Sequence, residues 1–243
     1  MQRYFINEND FMNNTITTDD VFHIQKVMRN KVGDMIEVCF DNTAYLVKIC
    51  AISADCITFD KISVISKKDE NIAKITLVQG LAKGDKTDDI IKHGTELGVD
   101  EIILLQMNRS IVKIDKNKLD NKLTRYQKIA KEAAEQAHRN SIPNVYLVDN
   151  LKSFDLNSYD VKLLLDEEEA KKADGKLLSS VNLNEGKNIV FVVGPEGGID
   201  DKERDYFINN EFIPVSIGKN ILRTETASLA FLAMLSYVFM KGN

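Results

Sequence analysis

Alternating apolar and polar positions near the start of the chain predict a series of short β-strands. Three such runs lie at residues 35–40, 44–49 and 56–59. The pairs Gly33-Asp34 and Asp41-Asn42 are turn signals on either side of the first run. Short strands separated by turns at this spacing indicate a small β-barrel over residues 1–70.

One amphipathic helix precedes these strands. Thr18 is placed to cap it, and Val21, Ile24 and Met28 recur at the spacing of one helix face. After the strands, the polar stretch 66–71 interrupts the hydrophobic pattern. We therefore expect a linker there, and a second domain from residue 72 to residue 243.

From residue 74 onward, runs with strand character alternate with helical patterns. The predicted strands lie at 75–79, 101–105, 145–148, 161–165, 189–193 and 212–217. The predicted helices lie at 85–97, 118–139 and 201–208, with further helices beginning at 167 and 224. Alternating strands and helices are typical of a mostly parallel sheet covered by helices, so the fold class is α/β.

Two of the predicted strands end in loops of small and polar residues. The first loop is Gly194-Pro195-Glu196-Gly197-Gly198, and the second runs from Ile217 to Ala227 as IGKNILRTETA. Ligands bind at the carboxyl ends of strands in open α/β sheets, and glycines let the backbone approach a ligand closely. A tight turn without a ligand would explain either glycine loop alone, but the pair predicts a small-molecule pocket.

Charge is distributed unevenly along the chain. The formal net charge is −5, yet residues 109–139 hold nine cations and four anions, an excess of five positive charges. Either a solvated helix face or a surface that follows RNA phosphates would explain this segment. The most apolar run, 229–240, is too short to span a bilayer.

Cysteine and histidine usage predicts neither disulfides nor a metal site. The three cysteines and three histidines lack metal-ligand spacing, and the N-terminus lacks a signal-peptide pattern. We expect free thiols, no metal, no membrane segment and a cytoplasmic location.

Several blocks of sequence together resemble one family. They are Arg3-Tyr4-Phe5, residues 23–29 with Gly33-Asp34, Gln79 with 83–86, Lys92 with 95–98, Arg109-Ser110, 132–136, Arg139, Pro143 and the two loops. Over almost its whole length the chain resembles the bacterial 16S ribosomal RNA uridine-N3 methyltransferases of the SPOUT superfamily. The paired GPEGG and LRTETA loops are the most specific part of this resemblance.

The resemblance implies more than the residue pattern shows. It implies an RNA-binding PUA-like β-barrel at residues 1–70 and a trefoil-knotted parallel-sheet domain at 72–243. It also implies S-adenosylmethionine as cofactor, a homodimer, and the 16S rRNA of the small ribosomal subunit as partner. The implied cofactor-binding residues are Leu164, Leu165, Gly194, Pro195, Glu196, Gly197, Gly198, Ile217, Gly218, Ile221, Leu222, Arg223, Thr224, Thr226 and Ala227.

Methylation of uracil N3 requires removal of its proton and stabilisation of negative charge on O2 and O4. Arg223 is our first candidate for that stabilisation, although an ion pair with Glu225 or Glu196 would give it a structural role instead. Glu196 and Glu225 are candidate general bases, or else acceptors for backbone N–H groups at a helix start. Asn220 stands where the family often has arginine, which removes one cation near this loop.

Cations in the family-like blocks and in the basic segment are the predicted RNA contacts, because phosphates dominate RNA affinity. The candidates are Arg3, His23, Arg29, Arg109, Arg125, Lys128 and Arg139. Two other functions remain open at this point: a ribose 2′-O-methyltransferase of the same superfamily, and a non-catalytic RNA-binding dimer.

Overall fold

The fold was analysed in a computed structural model, which describes residues 1–68, 73–150, 156–172, 178, 181–183 and 188–240. The chain forms two compact units. Unit 1 comprises Met1–Asp69 with Ala134–Ile142, and unit 2 comprises Glu70–Ala133 with Pro143–Asn243. Within the described residues, no helix has both the length and the apolar character needed to cross a membrane.

Unit 1 is built on a five-stranded sheet with the order β1-β3-β4-β5-β2. Its strands are β1 (Arg3–Phe5), β2 (Thr15–Ile16), β3 (Met35–Phe40), β4 (Thr43–Ile52) and β5 (Ile57–Lys67). Its helical segments are α1 (Glu8–Asn13), α2 (Asp20–Phe22) and the π-helical turn His23–Val27. Strands β1 and β3 pair in parallel, and the other pairs are antiparallel.

The three predicted strands of unit 1 are present, but β1, α1 and β2 were not expected from the pattern. The predicted helix face is only partly correct, because Val21 and Ile24 are buried whereas Met28 is 46% exposed. The Met28 N–H bonds to the His23 carbonyl five residues back, so the segment follows π-helical rather than α-helical spacing.

The linker predicted at residues 66–71 is only partly testable. Ser66 and Lys67 belong to strand β5, Lys68 follows the strand, and residues 69–71 lie outside the described residues.

Unit 2 is built on a six-stranded sheet, all parallel, with the order β11-β9-β10-β6-β7-β8. Its strands are β6 (Lys74–Gly80), β7 (Glu101–Leu105), β8 (Asn144–Val148), β9 (Val161–Leu165), β10 (Asn188–Val193) and β11 (Ile213–Val215). Its helices are α3 (Lys86–Glu96), α4 (Leu119–Gln136), α5 (Glu167–Lys171), α6 (Asp201–Asn209) and α7 (Thr224–Met240); α4 continues into unit 1. The parallel α/β fold predicted from the alternating pattern is confirmed.

Two predicted elements of unit 2 are shorter than the pattern suggested. Helix α4 ends at Gln136 instead of residue 139, and His138 then adopts a positive φ of 53°, which a continuing helix does not allow. The last strand covers three residues instead of six, because the Ser216 hydroxyl accepts the Gly218 N–H and turns the chain.

Strand register brings the functional loops to one edge of this sheet. Val193 pairs with Leu165 on one side and with Gln79 on the other, and Val215 also pairs with Leu165. Four strands therefore end side by side, and the segments that follow them emerge at the same place.

Candidate functional site

A cavity of about 540 Å³ lies at the carboxyl ends of the strands of unit 2. Each of three walls comes from the end of a strand and the segment that follows it. These segments lie within residues 165–168 at the end of β9, 193–199 at the end of β10, and 215–227 at the end of β11. Lys86 and Arg109, from the segments after β6 and β7, complete the rim.

Most residues predicted to bind a cofactor line this cavity. They are Leu165, Gly194, Pro195, Glu196, Gly198, Ile217, Ile221, Leu222, Arg223, Thr224 and Ala227. Leu164, Gly197, Gly218 and Thr226 are not among the lining residues. Leu164 is fully buried in the sheet, and a Cβ on Gly197 would lie 3.0 Å from Arg109 Cβ, so that glycine allows the arginine to pack closely.

A buried hydrogen-bond network fixes the two loops relative to the sheet. The Gln79 amide donates to Thr224 Oγ1 at 2.8 Å, and the Thr224 hydroxyl donates to the Gly194 carbonyl at 2.6 Å. Ser228 donates to Gln79 Oε1 at 2.5 Å. Gln79 and Ser228 are fully buried and Thr224 is 7% exposed, so these polar groups depend on one another for partners. The network therefore holds the glycine loop against the start of α7.

The end of strand β6 also approaches the glycine loop closely. A Cβ on Gly80 would lie 2.5 Å from Pro195 Cδ and N, and 2.9 Å from the carbonyl carbon of Gly194. No side chain fits in that space, so glycine at position 80 determines how near the loop lies to the sheet.

Both carboxylates that the sequence suggested as bases are occupied by one lysine. Lys86 Nζ lies 3.2 Å from Glu196 Oε1 and 3.4 Å from Glu225 Oε2. Glu196 also accepts the Lys83 N–H at 2.9 Å. The alternative role for Arg223, an ion pair with one of these glutamates, is not observed among the described residues. Within the described part of the chain the Arg223 side chain makes no hydrogen bond or ion pair, and it faces the cavity.

An acidic cluster after strand β9 forms the opposite wall. Asp166 caps α5 and accepts Arg204 Nε at 2.5 Å, and Arg204 Nη2 lies 3.5 Å from Glu169. Hydrogen bonding to Asp166 raises the pKa of Arg204, so this arginine stays charged and committed to its carboxylates. Glu167 and Glu168 line the cavity beside it.

Sequence reasoning assigned no role to three of these residues: Lys86, Asp166 and Arg204. Lys86 lay in a family-like block, and Asp166 directly follows a strand and precedes an acidic helix start, which is a capping signal. Arg204 carried no local signal.

Arg109, predicted as an RNA contact, lies at the cavity. Its Nη1 donates to the Gly197 carbonyl at 3.3 Å, and it is one of the lining residues. The structure thus places a predicted phosphate ligand beside the glycine loop.

The other predicted RNA cations are spread over both units. Arg3 is 3% exposed and bonds to Glu37, the His138 carbonyl and Asn140, all within unit 1, so its guanidinium is not accessible to a phosphate. His23 Nδ1 lies 3.1 Å from the Tyr4 hydroxyl.

The remaining four differ in exposure and pairing. Arg29 is exposed, and Arg139 is half-buried. Arg125 pairs with Asp88, and Lys128 Nζ lies 3.9 Å from Glu132.

Comparison with known proteins identifies the family to which this geometry belongs. A family model described as an RNA methyltransferase domain matches residues 68–236, and one described as an RNA methyltransferase PUA domain matches residues 16–68. Ribosomal RNA small subunit methyltransferase E of Bacillus subtilis is 36% identical, over 98% of this chain and 96% of that protein. The chain belongs to this family of RNA methyltransferases.

Solved structures of relatives agree with the fold. Ribosomal RNA small subunit methyltransferase E of Neisseria gonorrhoeae, bound to S-adenosylmethionine, has a TM-score of 0.84 and 27% identity, with 98% of each chain covered. A putative methyltransferase of Legionella pneumophila with the same cofactor has a TM-score of 0.81 and 28% identity, over 92% of this chain and 91% of that one. The resemblance inferred from the sequence blocks is confirmed, and the chain is an RNA methyltransferase with a PUA-type and a SPOUT-type domain.

Proposed function

We propose that this chain transfers a methyl group from S-adenosylmethionine to N3 of a uridine in the 16S rRNA of the small ribosomal subunit. The observation that carries the proposal is the cavity where GPEGG and LRTETA meet at the carboxyl ends of four neighbouring strands. The family assignment supports the reaction class, and the cofactor-bound relatives support the donor.

The cavity suits a ligand with a purine, a ribose and a positive sulfonium. Apolar side chains that could pack on a base come from Leu165, Ile217, Ile221 and Leu222. Carboxylates that favour a cation come from Glu167 and Glu168, because Asp166 and Glu196 are already paired with Arg204 and Lys86. S-adenosylmethionine would supply an activated methyl group there.

The residues proposed to hold the cofactor are those predicted from the sequence. Backbone groups of Gly194, Pro195, Gly198 and Ile217 would bind its polar edges, with Thr224 and Ala227 at the start of α7. Gly218 and Thr226 do not line the cavity and would act by shaping the loop and the helix start that do. Gly197 and Leu164 would act indirectly, Gly197 by admitting Arg109 and Leu164 by packing in the core of the sheet beneath the cavity.

Positive groups at the cavity rim have the chemistry that uracil N3 requires. Arg223 and Arg109 both face the cavity, where a guanidinium can stabilise charge on O2 or O4 as the proton leaves. We assign Glu196 and Glu225 to holding Lys86, because both carboxylates already contact its ammonium.

RNA would be bound by the remaining cations of the two units. We propose Arg29 and His23 in unit 1, and Arg125, Lys128 and Arg139 as phosphate contacts, with Arg3 instead stabilising unit 1. The target uridine would have to leave its stack to reach the cavity. This substrate implies a cytoplasmic location.

We further propose that the protein is a homodimer through helix α7. Ala233 and Met234 are exposed on this helix, beside an apolar groove that Ile217, Ala230 and Tyr237 also line. Light scattering should give twice the chain mass of 27.5 kDa, and Ala233→Glu should reduce it to one chain. Met12→Glu, at an exposed site of unit 1, is the control. A single-chain mass for the wild type would contradict the dimer.

The direct test of function combines binding with product mapping. Calorimetry should show S-adenosylmethionine binding that is lost in Ala227→Phe, which fills the cavity, and kept in Ala54→Phe at an exposed turn. Incubation with small subunits lacking the modification should then give one N3-methyluridine in the 16S rRNA by mass spectrometry. Methylation on a ribose, or cofactor binding without methyl transfer to any rRNA, would overturn the proposal.

A further inference from the structure

Lys86 connects the two loops that form the cavity. It is the first residue of α3, and its ammonium contacts Glu196 in the glycine loop and Glu225 in the first turn of α7, at 3.2 and 3.4 Å. Three segments that are far apart in sequence thus meet at one cation. Such convergence is the geometry of a built site and not of a solvated surface lysine.

Local electrostatics alone do not favour a lysine here. A positive charge in the first turn of a helix opposes the helix dipole. Glu225 Oε2 is buried and makes no hydrogen bond within the described residues, so the Lys86 ammonium is the charge that compensates it. Residues that break a local rule are expected at functional sites.

The protonation states of the cluster are well defined. Hydrogen bonding to Glu196 raises the pKa of Lys86, so it remains an ammonium. Burial alone would raise the pKa of Glu196, but the Lys83 N–H and Lys86 outweigh burial, and the pKa lies below its ordinary value. Neither group is therefore suited to accept a proton at neutral pH.

Lys86 is also a preorganised cation of the cavity. Arg204 is committed to Asp166 and Glu169, and within the described residues the Arg223 side chain has no partner that fixes it. Lys86 forms ion pairs with two carboxylates, and an ammonium has three N–H donors. Lys86 also lines the cavity with 32% of its side chain exposed, so its ammonium is accessible to an oxygen of a bound ligand.

We propose that Lys86 is a catalytic residue, whose ammonium donates to O4 of the uracil, next to N3, and stabilises the negative charge that develops there. This rests on the proposed uridine-N3 activity. The N3–H bond breaks and its proton passes to solvent. The N3 electron pair forms the bond to the methyl group, and the methyl–sulfur bond of the donor breaks to leave a neutral thioether.

The same contact would distinguish uracil from cytosine. Uracil presents a carbonyl oxygen at C4 and a proton on N3, whereas cytosine presents an amino group and an unprotonated nitrogen. The Lys86 ammonium can only donate, so it matches the uracil carbonyl and repels the cytosine amino group.

The test compares Lys86→Gln with Lys92→Gln, which removes an exposed lysine from the same helix. In Lys86→Gln we expect kcat at saturating cofactor to fall by about 10²–10³-fold, as when one oxyanion donor is lost, while the Kd for S-adenosylmethionine stays within about threefold. The pH at which the imino proton of bound uridine is lost should also rise, which is measurable by NMR with the demethylated cofactor. Lys92→Gln should leave all three values unchanged.

A double variant separates catalysis from loop positioning. Lys86→Gln/Glu225→Gln also removes the partly buried carboxylate that Lys86 no longer compensates, so it should regain melting temperature without regaining kcat. Recovery of kcat in the double variant, or a loss confined to cofactor affinity, would overturn the proposal. If the wild-type protein methylates no uridine, the proposed function is wrong. If the wild type methylates a uridine and Lys86→Gln has the same kcat, only the role proposed for Lys86 is wrong.

Discussion

Replacement of Gly80 by alanine tests how closely strand β6 must approach the glycine loop. The added Cβ would lie 2.5 Å from two atoms of Pro195 and 2.9 Å from the backbone of Gly194. Carbon atoms pack at about 3.5–4.0 Å, so roughly 1 Å of displacement is required. None of these atoms belongs to a flexible side-chain end, so the loop backbone itself must move.

The expected magnitude follows from that displacement. Overpacking of this kind costs about 1–3 kcal/mol, which corresponds to a melting temperature lower by roughly 2–12 °C. Because the moved loop lines the cavity, kcat/KM should fall by about 10²-fold, as expected for a misplacement of that size. Differential scanning fluorimetry and a methyl-transfer assay measure the two effects.

Gly94→Ala provides a matched control on helix α3. A Cβ there would lie 3.4 Å from Leu232 Cδ1, an ordinary contact. Alanine is favoured over glycine inside a helix by about 0.5–1 kcal/mol, so this variant should melt at the wild-type temperature or above it and keep full activity. If Gly80→Ala melts within about 1 °C of the wild type and is equally active, the steric reasoning is refuted.

Three further predictions concern polar and charged groups with defined partners. Thr224→Val removes the hydroxyl that donates to the Gly194 carbonyl, so it should destabilise unit 2 by about 1–3 kcal/mol and weaken cofactor binding measured by calorimetry. Thr124→Val, at an exposed position, should change neither quantity. Equal effects of the two substitutions would contradict the proposed role of the hydrogen-bond network. Arg3→Met should lower the denaturation midpoint of unit 1 without reducing the salt dependence of RNA binding, and a smaller salt slope would restore Arg3 as a phosphate contact. Folding lowers the pKa of Glu196, so its ionised carboxylate stabilises the folded state at pH values above its ordinary pKa of 4.5, and this stabilisation is lost as the pH falls below that value. Glu196→Gln should therefore lose less stability than the wild type on acid titration. Parallel stability curves for the two proteins would contradict this.

The sequence by itself determined the elements and the position of the functional loops. Strand and helix periods depend on local alternation of apolar and polar residues, so most elements of unit 2 were placed to within a few residues. The position of the glycine loop and of the LRTETA loop could be predicted because both follow strands, and parallel strands end at one edge of a sheet. Segments without a clear hydrophobic period, such as β1, β2 and the π-helical turn, were not predicted from the sequence.

Tertiary structure decided what each charged residue does. Arg3 and Arg109 looked alike as cations in family-like blocks, but one is buried against Glu37 and the other lines the cavity. Lys86 became the partner of Glu196 and Glu225 because β10 pairs with β6, although the two strands are over a hundred residues apart in the chain. Strand order and side-chain packing set these contacts, and neither is encoded in the local pattern that predicts a strand or a helix.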